Sequence, residues 1–354
     1  MSINIYSDSL IYIVAPANKA TGGPELLHQL AYHLRVNLKI NTYMYYIPDN
    51  YSSPMHFEYQ QYNNPFVREI ENKEKNILIV PEIANAISIL KKYSNIRKCI
   101  WWLSIDNFYI SQILDNRMNF FLYRIINKIW KILFNKQLID VNNIIYKKFD
   151  FKSMKLPTEI INASIHLVQS FYALNNIVDK GIPKNKIFFL SDYLNKQFLE
   201  VETDMSQKQN VVIYNPNKGY EFTKKIINQA KDIKFVPILN MTRQQVIENL
   251  QKAKVYIDFG NHPGKDRIPR EAAILGCCVI TSKSGSAAFY EDVPIPEEYK
   301  FDDKEENISK IVNKIKECFE NFDKRYKDFC YYREIIKQEP QKFIEDLNNI
   351  FVKI

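Results

Sequence analysis

The run NHPGKDRIPREAAILGCCVITSKSGS, Asn261 to Ser286, changes character halfway. Its first part gathers Gly264, Lys265, Asp266, Arg267, Pro269, Arg270 and Glu271; its second part, AAILGCCVIT, is apolar. A charged turn, a short apolar helix and a continuously apolar strand form the step of a parallel sheet buried on both faces. Pro suits a helix start and a carboxylate is favoured in a first turn, so the spacing predicts a helix opening at Pro269 with Glu271 in that turn. A helix this apolar starts close to buried ground. A carboxylate there can accept hydrogen bonds from both hydroxyls of a diol such as ribose, and Lys265, Arg267 or Arg270 can neutralise phosphate charge.

The same alternation extends upstream. VVIYNPNKG from Val211, IKFVPI and KVYIDFG read as strands, separated by the helical segments YEFTKKIINQA and TRQQVIENLQKA. Thr242 followed by Gln245 is a capping-box arrangement for the second of these helices. Further upstream the polar stretch NKQFLEVETDMSQKQN interrupts the pattern and reads as a linker. Before it, LIYIVAP (Leu10 to Pro16), NTYMYYIP, NILIVPEI, KCIWWLSID, ASIHLVQS and KIFFLSD form a first series of strands. After Pro16 a loop leads into PELLHQLAYHLRV, whose Leu26, Leu27, Leu30, Ala31 and Leu34 make an apolar helical stripe. Strand–helix repetition in both halves predicts an α/β chain with two doubly wound domains. From about Asn307 the sequence reads as helix to its end.

Composition agrees with that size. The chain has 354 residues, beyond the roughly 250–300 at which single cores divide, and 46% of them are hydrophobic. No apolar run reaches the ~18 residues of a membrane span, and the N-terminus has no basic region ahead of an apolar one, so neither a transmembrane helix nor a secretory signal is expected. The five cysteines have no metal-ligand spacing, and the adjacent Cys277 and Cys278, in an apolar run, are expected as reduced core residues. No Gly-rich phosphate loop is present. The net charge of +8 suits an anionic partner. The absence of any nucleic-acid motif argues against nucleic acid as that partner.

In doubly wound sheets ligands sit beyond the carboxyl ends of the strands. Two loops there stand out. ATGGPE carries Gly22 and Gly23, which permit close backbone approach, and Glu25 in the following helix. The other is the Asn261 to Arg270 loop. A third position is Asp106, which follows the strand KCIWWLSI and is a candidate base for deprotonating an acceptor hydroxyl, with Glu25 and His28 behind it. Trp101 and Trp102 read as core.

REAAILGCCVIT resembles the donor-binding domain of GT-B glycosyltransferases, specifically the large retaining group, in which a Glu, small residues and a Gly precede a strand. The resemblance implies two Rossmann-like domains facing each other across a cleft, with the C-terminal helix crossing back to the first. It divides the chain into an acceptor domain (1–195), a nucleotide-sugar domain (196–325) and a helical tail (326–354). It implies that Glu271 binds the ribose of a UDP- or GDP-linked sugar and that Lys218, in YNPNKG, binds the diphosphate. Gly22 and Gly23 would face the donor, and Gly285, in SKSGSAA, would close over the phosphates. The group carries a second Glu eight positions before the ribose Glu; this chain has Pro263 there, so His262, Lys265 or Asp266 would contact the sugar. Stereochemistry stays open, with His262 a further catalytic candidate. No cofactor or metal is implied beyond the donor itself.

One segment is of another kind. Arg117, Arg124, Lys128 and Lys131 fall on one helical face amid aromatic and aliphatic residues, as in helices that lie in a membrane interface. The reading is therefore of a cytoplasmic glycosyltransferase of surface polysaccharide synthesis, such as lipopolysaccharide or capsule, working at the inner face of the membrane on a saccharide or lipid-linked acceptor. A sugar-nucleotide epimerase and a non-catalytic scaffold are the alternatives of the same fold.

Overall fold

The computed structural model describes residues 2–116, 120, 122–123, 125–127 and 141–354. The expected basic helical face of Arg117, Arg124, Lys128 and Lys131 lies outside the described residues. The chain forms two compact units: Met1–Val168, Ala173–Leu190 and Leu347–Ile354 make the first; Gln169–Tyr172 and Ser191–Asp346 make the second.

The first unit holds β1 (Ile3–Ile5), β2 (Ile11–Pro16), β3 (Thr42–Ile47), β4 (Ile77–Pro81), β5 (Arg97–Trp102), β6 (Ile165–Val168) and β7 (Ile187–Phe189). Six of these strands form one sheet in the order β3-β2-β4-β5-β6-β7, every pair parallel. Such strands are covered on both faces, which is why Ile11, Ile13, Val14, Ile77, Leu78, Ile79 and Val80 are all apolar and fully buried. The first helix, α1 (Gly22–Val36), buries the stripe of Leu26, Leu27, Leu30, Ala31 and Leu34. Trp101 and Trp102 are core residues, and Trp102 donates its indole N–H to His166 Nδ1 at 3.1 Å. Burial holds His166 neutral, down at about 4, so that nitrogen is free to accept. A further helix, α2 (Ile105–Asn116), follows β5.

The second unit holds β8 (Gln209–Tyr214), β9 (Lys234–Pro237), β10 (Ala253–Asp258), β11 (Cys278–Ser282) and β12 (Lys300–Phe301), in the order β12-β11-β10-β8-β9 and again all parallel. Its longer helices are α3 (Tyr220–Gln229), α4 (Arg243–Lys252), α5 (Arg267–Ile274), α6 (Ile308–Glu320) and α7 (Cys330–Ile350) up to Asp346, the rest of α7 belonging to the first unit. The capping box of Thr242 and Gln245 starts α4 as the sequence predicts. Val255, Tyr256 and Ile257 of β10 are fully buried, each stabilising the sheet by about 1.5–3 kcal/mol if treated as a core side chain. Cys277, Cys278 and Cys318 join this core as free thiols.

The structure differs from the sequence expectation at two places. The chain ends in a strand, not a helix: β13 (Phe351–Lys353) pairs in parallel with β1 in the first unit. The helix after the charged loop starts at Arg267 with Asp266 as N-cap, so Pro269 is its third residue and Glu271 falls beyond the first turn. Asp266, not Glu271, takes the position next to the helix start, where the dipole favours a negative charge. Among the described residues no helix is long and apolar enough to cross a membrane.

Candidate functional site

In the second sheet the chain passes from β8 to β9 on one side and returns to β10 on the other, which makes the carboxyl ends of β8 and β10 the switch point where ligands of doubly wound sheets bind. Four loops converge there. Gly219, after β8, has φ +53°, and a Cβ on it would lie 2.1 Å from the Phe259 carbonyl oxygen. Gly260, after β10, has φ +100°, and its Cβ would meet the Gly219 backbone at 2.7 Å. Side chains cannot occupy either place. Gly285, after β11, is equally confined by the His262 carbonyl, which accepts the Ser286 N–H at 2.9 Å. Asp303, after β12, accepts the Gly260 N–H at 2.8 Å.

These backbone contacts bring five polar side chains together. Lys218 Nζ lies 2.5 Å from Asp266 Oδ2 and 3.4 Å from Asp258 Oδ2. His262 Nδ1 lies 2.7 Å from the same Asp266 oxygen, and its Nε2 lies 3.2 Å from the Asp258 carbonyl oxygen. The Tyr256 hydroxyl donates to Asp258 Oδ2 at 2.9 Å. Burial pushes the Asp266 carboxyl up, but the Lys218 ammonium and the His262 hydrogen bond outweigh it and hold the group well below the usual carboxylate range. Burial acts downward on Lys218, and Asp258 and Asp266 overcome it, so the amine is held charged. Asp258 and His262 are closed to solvent, whereas the Lys218 and Asp266 side chains are 22% and 20% exposed and are the members that a ligand can reach.

Asp258, His262 and Asp266 place donor atoms within 4.8 Å of one another, a composition that divalent-cation sites also use. Lys218 Nζ already stands between the two carboxylates, so a side chain supplies the positive charge at this position.

Two of the expected phosphate cations are committed elsewhere. Arg270 is fully buried; it forms a bidentate pair with Asp192 at 3.0 and 2.5 Å and donates to Glu339 of α7 at 2.8 Å. Lys265 lies 3.2 Å from Asp192 and 2.8 Å from Glu339, completing a neutral group of two cations and two carboxylates. The physical reason is desolvation: once buried, these charges are tolerated only in a closed set of pairs. Arg270 Nε also donates to the Asp266 carbonyl at 3.2 Å, which fixes the loop that carries Asp266. The charge of Arg267 reaches Asp192 as well.

Glu271 is half-buried on α5. Its charge reaches Tyr256, whose hydroxyl is pushed far up by burial first and then by Asp258, Asp266 and Glu271. The expected ribose carboxylate therefore lies within electrostatic reach of the switch-point cluster. His262, expected as a catalytic candidate, is fully buried with both ring nitrogens against oxygens of the chain, so it has no opening toward a reacting group.

In the first unit, Thr21 caps α1 without a side-chain bond, and the Tyr59 hydroxyl fastens the loop by accepting from Thr21 N at 3.0 Å and donating to Thr21 O at 2.9 Å. Gly22 and Gly23 open the helix there, partly exposed. Glu25 is buried and accepts from the Tyr62 hydroxyl at 3.4 Å. His28 stacks on Tyr59 and is lowered by burial to about 4. Asp106 is buried in the first turn of α2 and accepts from the Tyr146 hydroxyl at 3.0 Å.

Sequence reasoning missed Glu82, Asp192, Asp258, Asp303 and Glu339. Glu82 directly follows β4, at the switch point of the first sheet; it is buried, accepts the Leu103 N–H at 3.1 Å and is pushed up by burial to about 7. The rule that selected Asp106, a carboxylate just past a buried strand, also selects Glu82, Asp192 and Asp258. Glu339 sits inside a long helix and carries no such signal.

No family model matches the chain, and no curated protein matches it. Solved structures do. HepE from Anabaena, in complex with UDP-glucose, is 12% identical with a TM-score of 0.58, over 96% of this chain and 100% of that one. Sucrose-phosphate synthase from Thermosynechococcus elongatus is 10% identical with a TM-score of 0.60, over 96% and 97%. The lipopolysaccharide outer core galactosyltransferase WaaB is 12% identical with a TM-score of 0.51, over 96% and 98%. At these identities the likeness is one of fold: the chain has the fold of GT-B glycosyltransferases.

Proposed function

We propose that the chain is a glycosyltransferase that moves a hexosyl group from a nucleotide sugar to a saccharide or lipid-linked saccharide acceptor. The observation that carries this reading is the switch point of the second sheet, where a reachable Lys218 stands in the polar cluster and the half-buried Glu271 lies within its electrostatic reach, in a chain of GT-B fold. Glu271 accepts hydrogen bonds from the ribose hydroxyls, and Lys218 leaves its carboxylates for the diphosphate. We take the donor to be UDP-linked; HepE, of similar fold, was solved with UDP-glucose. Gly22 and Gly23, partly exposed, open α1, whose N-terminal amides favour an anion, and Gly285 keeps the loop after β11 close to the His262 backbone. Charge on the departing diphosphate is balanced by Lys218 and helix amides, without need of a resident metal.

The acceptor belongs to the first unit in this reading, with Glu25, Glu82 and Asp106 as the carboxylates for acid–base work. Glu82, up at about 7, matches the proton affinity that a base needs near neutral pH. The net charge of +8 and the nine Lys or Arg against two Asp between Arg117 and Lys155 favour work at an anionic membrane surface, on the cytoplasmic side, in surface polysaccharide synthesis. The test is to incubate the protein with a panel of UDP- and GDP-sugars, with and without saccharide acceptors and with and without a chelator. Acceptor-dependent, chelator-resistant UDP release is expected. Conversion of the sugar nucleotide without acceptor would make the chain an epimerase, and binding without turnover a scaffold.

A further inference from the structure

The segment DNYSSPMHFEYQQYNNPF, Asp49 to Phe66, runs between β3 and β4 and so leaves the carboxyl end of the first sheet. It carries one short 3-10 helix, Phe57–Tyr62, and is fastened along its length. The Arg68 guanidinium donates to the carbonyls of Asp49 at 2.8 Å and Tyr51 at 3.0 Å. The Pro54 carbonyl accepts the Asn18 N–H at 2.8 Å, and the Tyr59 hydroxyl holds Thr21. Arg35 donates to the carbonyls of Tyr62 and Asn63, each at 3.0 Å. Asn18 and Thr21 belong to the loop that leads into Gly22 and Gly23, so the two loops share one foundation. A loop fastened in this way could fold its large apolar side chains inward, yet this one displays three. Phe57 is 71% exposed, more than any other large hydrophobic side chain among the described residues, and Tyr51 and Phe66 are 43% and 40% exposed. Tyr51 and Phe66 line one depression together with Asp49, Pro54 and Arg68. Aromatic faces held out to solvent on a fixed backbone are the mark of a binding surface, because ordering them on binding costs little.

Charge narrows what the surface fits. The chain has 48 Lys and Arg, but none falls between Lys39 and Arg68, and the formal charges within the loop are those of Asp49 and Glu58. Arg68, at its end, is spent on the two carbonyls. An anionic lipid surface or a phosphate is drawn by clustered cations, which this loop lacks. Around the rings stand the exposed Asn50, Ser52, Ser53 and Gln60, uncharged donors and acceptors. Aromatic faces bordered by amides and hydroxyls match a neutral sugar, whose ring has an apolar C–H face and a rim of hydroxyls. We propose that the loop between β3 and β4 is a stacking platform for a neutral oligosaccharide, with Phe57 and Tyr51 each taking the C–H face of a sugar ring. That this saccharide is the acceptor rests on the proposed transfer reaction; the binding itself does not.

The test takes the full chain, without nucleotide sugar, over an array of immobilised neutral, sulfated, sialylated and phosphorylated oligosaccharides. The strongest neutral binder is then titrated by calorimetry into the wild type, Phe57→Ala, Tyr51→Ala and Tyr51→Phe. Neutral saccharides are expected to be retained. Each alanine variant should bind about tenfold more weakly, while Tyr51→Phe, which keeps the ring, should stay within about twofold of the wild type. All three variants should melt with the wild type, since the substituted side chains are exposed. Retention of no saccharide, retention of charged ones alone, or equal affinity in the wild type and both alanine variants overturns the proposal. Binding to phosphatidylglycerol vesicles, or self-association in sedimentation, that Phe57→Ala abolishes also overturns it, by assigning the surface to a membrane or to a second copy. The transfer reading fails separately. Saccharide binding without UDP release from any UDP-sugar would refute the transfer and leave the platform standing; acceptor-dependent UDP release with an unchanged acceptor KM in Phe57→Ala would refute the platform alone.

Discussion

Lys218 Nζ and Asp266 Oδ2 lie 2.5 Å apart, joining the loop after β8 to the N-cap of α5. In the proposed function this pair is the contact that a diphosphate opens. Removing the lysine therefore has two separable effects. Lys218→Ala should weaken UDP binding by about 1.5–3 kcal/mol, the worth of a charged hydrogen bond. It should also destabilise the protein by about 3–5 kcal/mol, because Asp258 and Asp266 lose their cation. Adding Asp266→Asn should restore much of the stability, measured by urea denaturation, and none of the UDP affinity, measured by calorimetry. Recovery of both would show that the lysine only serves the fold.

Arg270 should behave in the opposite sense. Its guanidinium is fully buried between Asp192 and Glu339 and also holds the Asp266 carbonyl. Arg270→Ala removes the bidentate partner of Asp192 and leaves the two buried carboxylates to Lys265 and the charge of Arg267, which should cost about 3–5 kcal/mol of stability. Urea denaturation of the variant checks this; a loss below about 1 kcal/mol, the range of a surface pair, would mean that the buried group is not a structural clamp.

Glu82 gives the first unit a defined pH response. Its carboxyl is at about 7 in the folded chain, against 4.5 for the free group. The folded state thus binds the proton more tightly, and stability falls as pH rises from 4.5 to about 7, by about 3 kcal/mol in all. His28 and His166, both near 4, act oppositely and lose stability as pH falls from 6.5. Comparison with Glu82→Gln isolates the carboxyl: the variant keeps an oxygen for the Leu103 N–H and should lack this slope. Equal slopes in urea titrations of the two proteins across that window would refute the assignment.

The strands were legible because parallel strands buried on both faces must be apolar throughout. LIYIVAP, NILIVPEI and KVYIDFG need no further information to be placed, and the capping box of Thr242 and Gln245 marks α4 as plainly. The site was legible as a loop but not as a set of partners. Lys265 and Arg270 look like phosphate cations because a sequence shows charge and not burial; Asp192 and Glu339, far away along the chain, are what neutralise them. Pro269 marked the helix start two residues late, since Pro is also tolerated elsewhere in a first turn and Asp266 already supplied the N-cap. The terminal strand β13 escaped because three residues are too few to show alternation, and its pairing with β1 joins opposite ends of the sequence.

The central claim is that a nucleotide rests on the carboxyl end of the second sheet with its ribose on Glu271. Calorimetric titration of UDP into the wild type, Glu271→Ala and Asp106→Asn tests it most directly. Loss of two hydrogen bonds to a charged acceptor should weaken binding in Glu271→Ala by about 2–4 kcal/mol, roughly thirtyfold or more, while Asp106→Asn keeps the wild-type affinity. Unchanged affinity in the Glu271 variant would contradict the account.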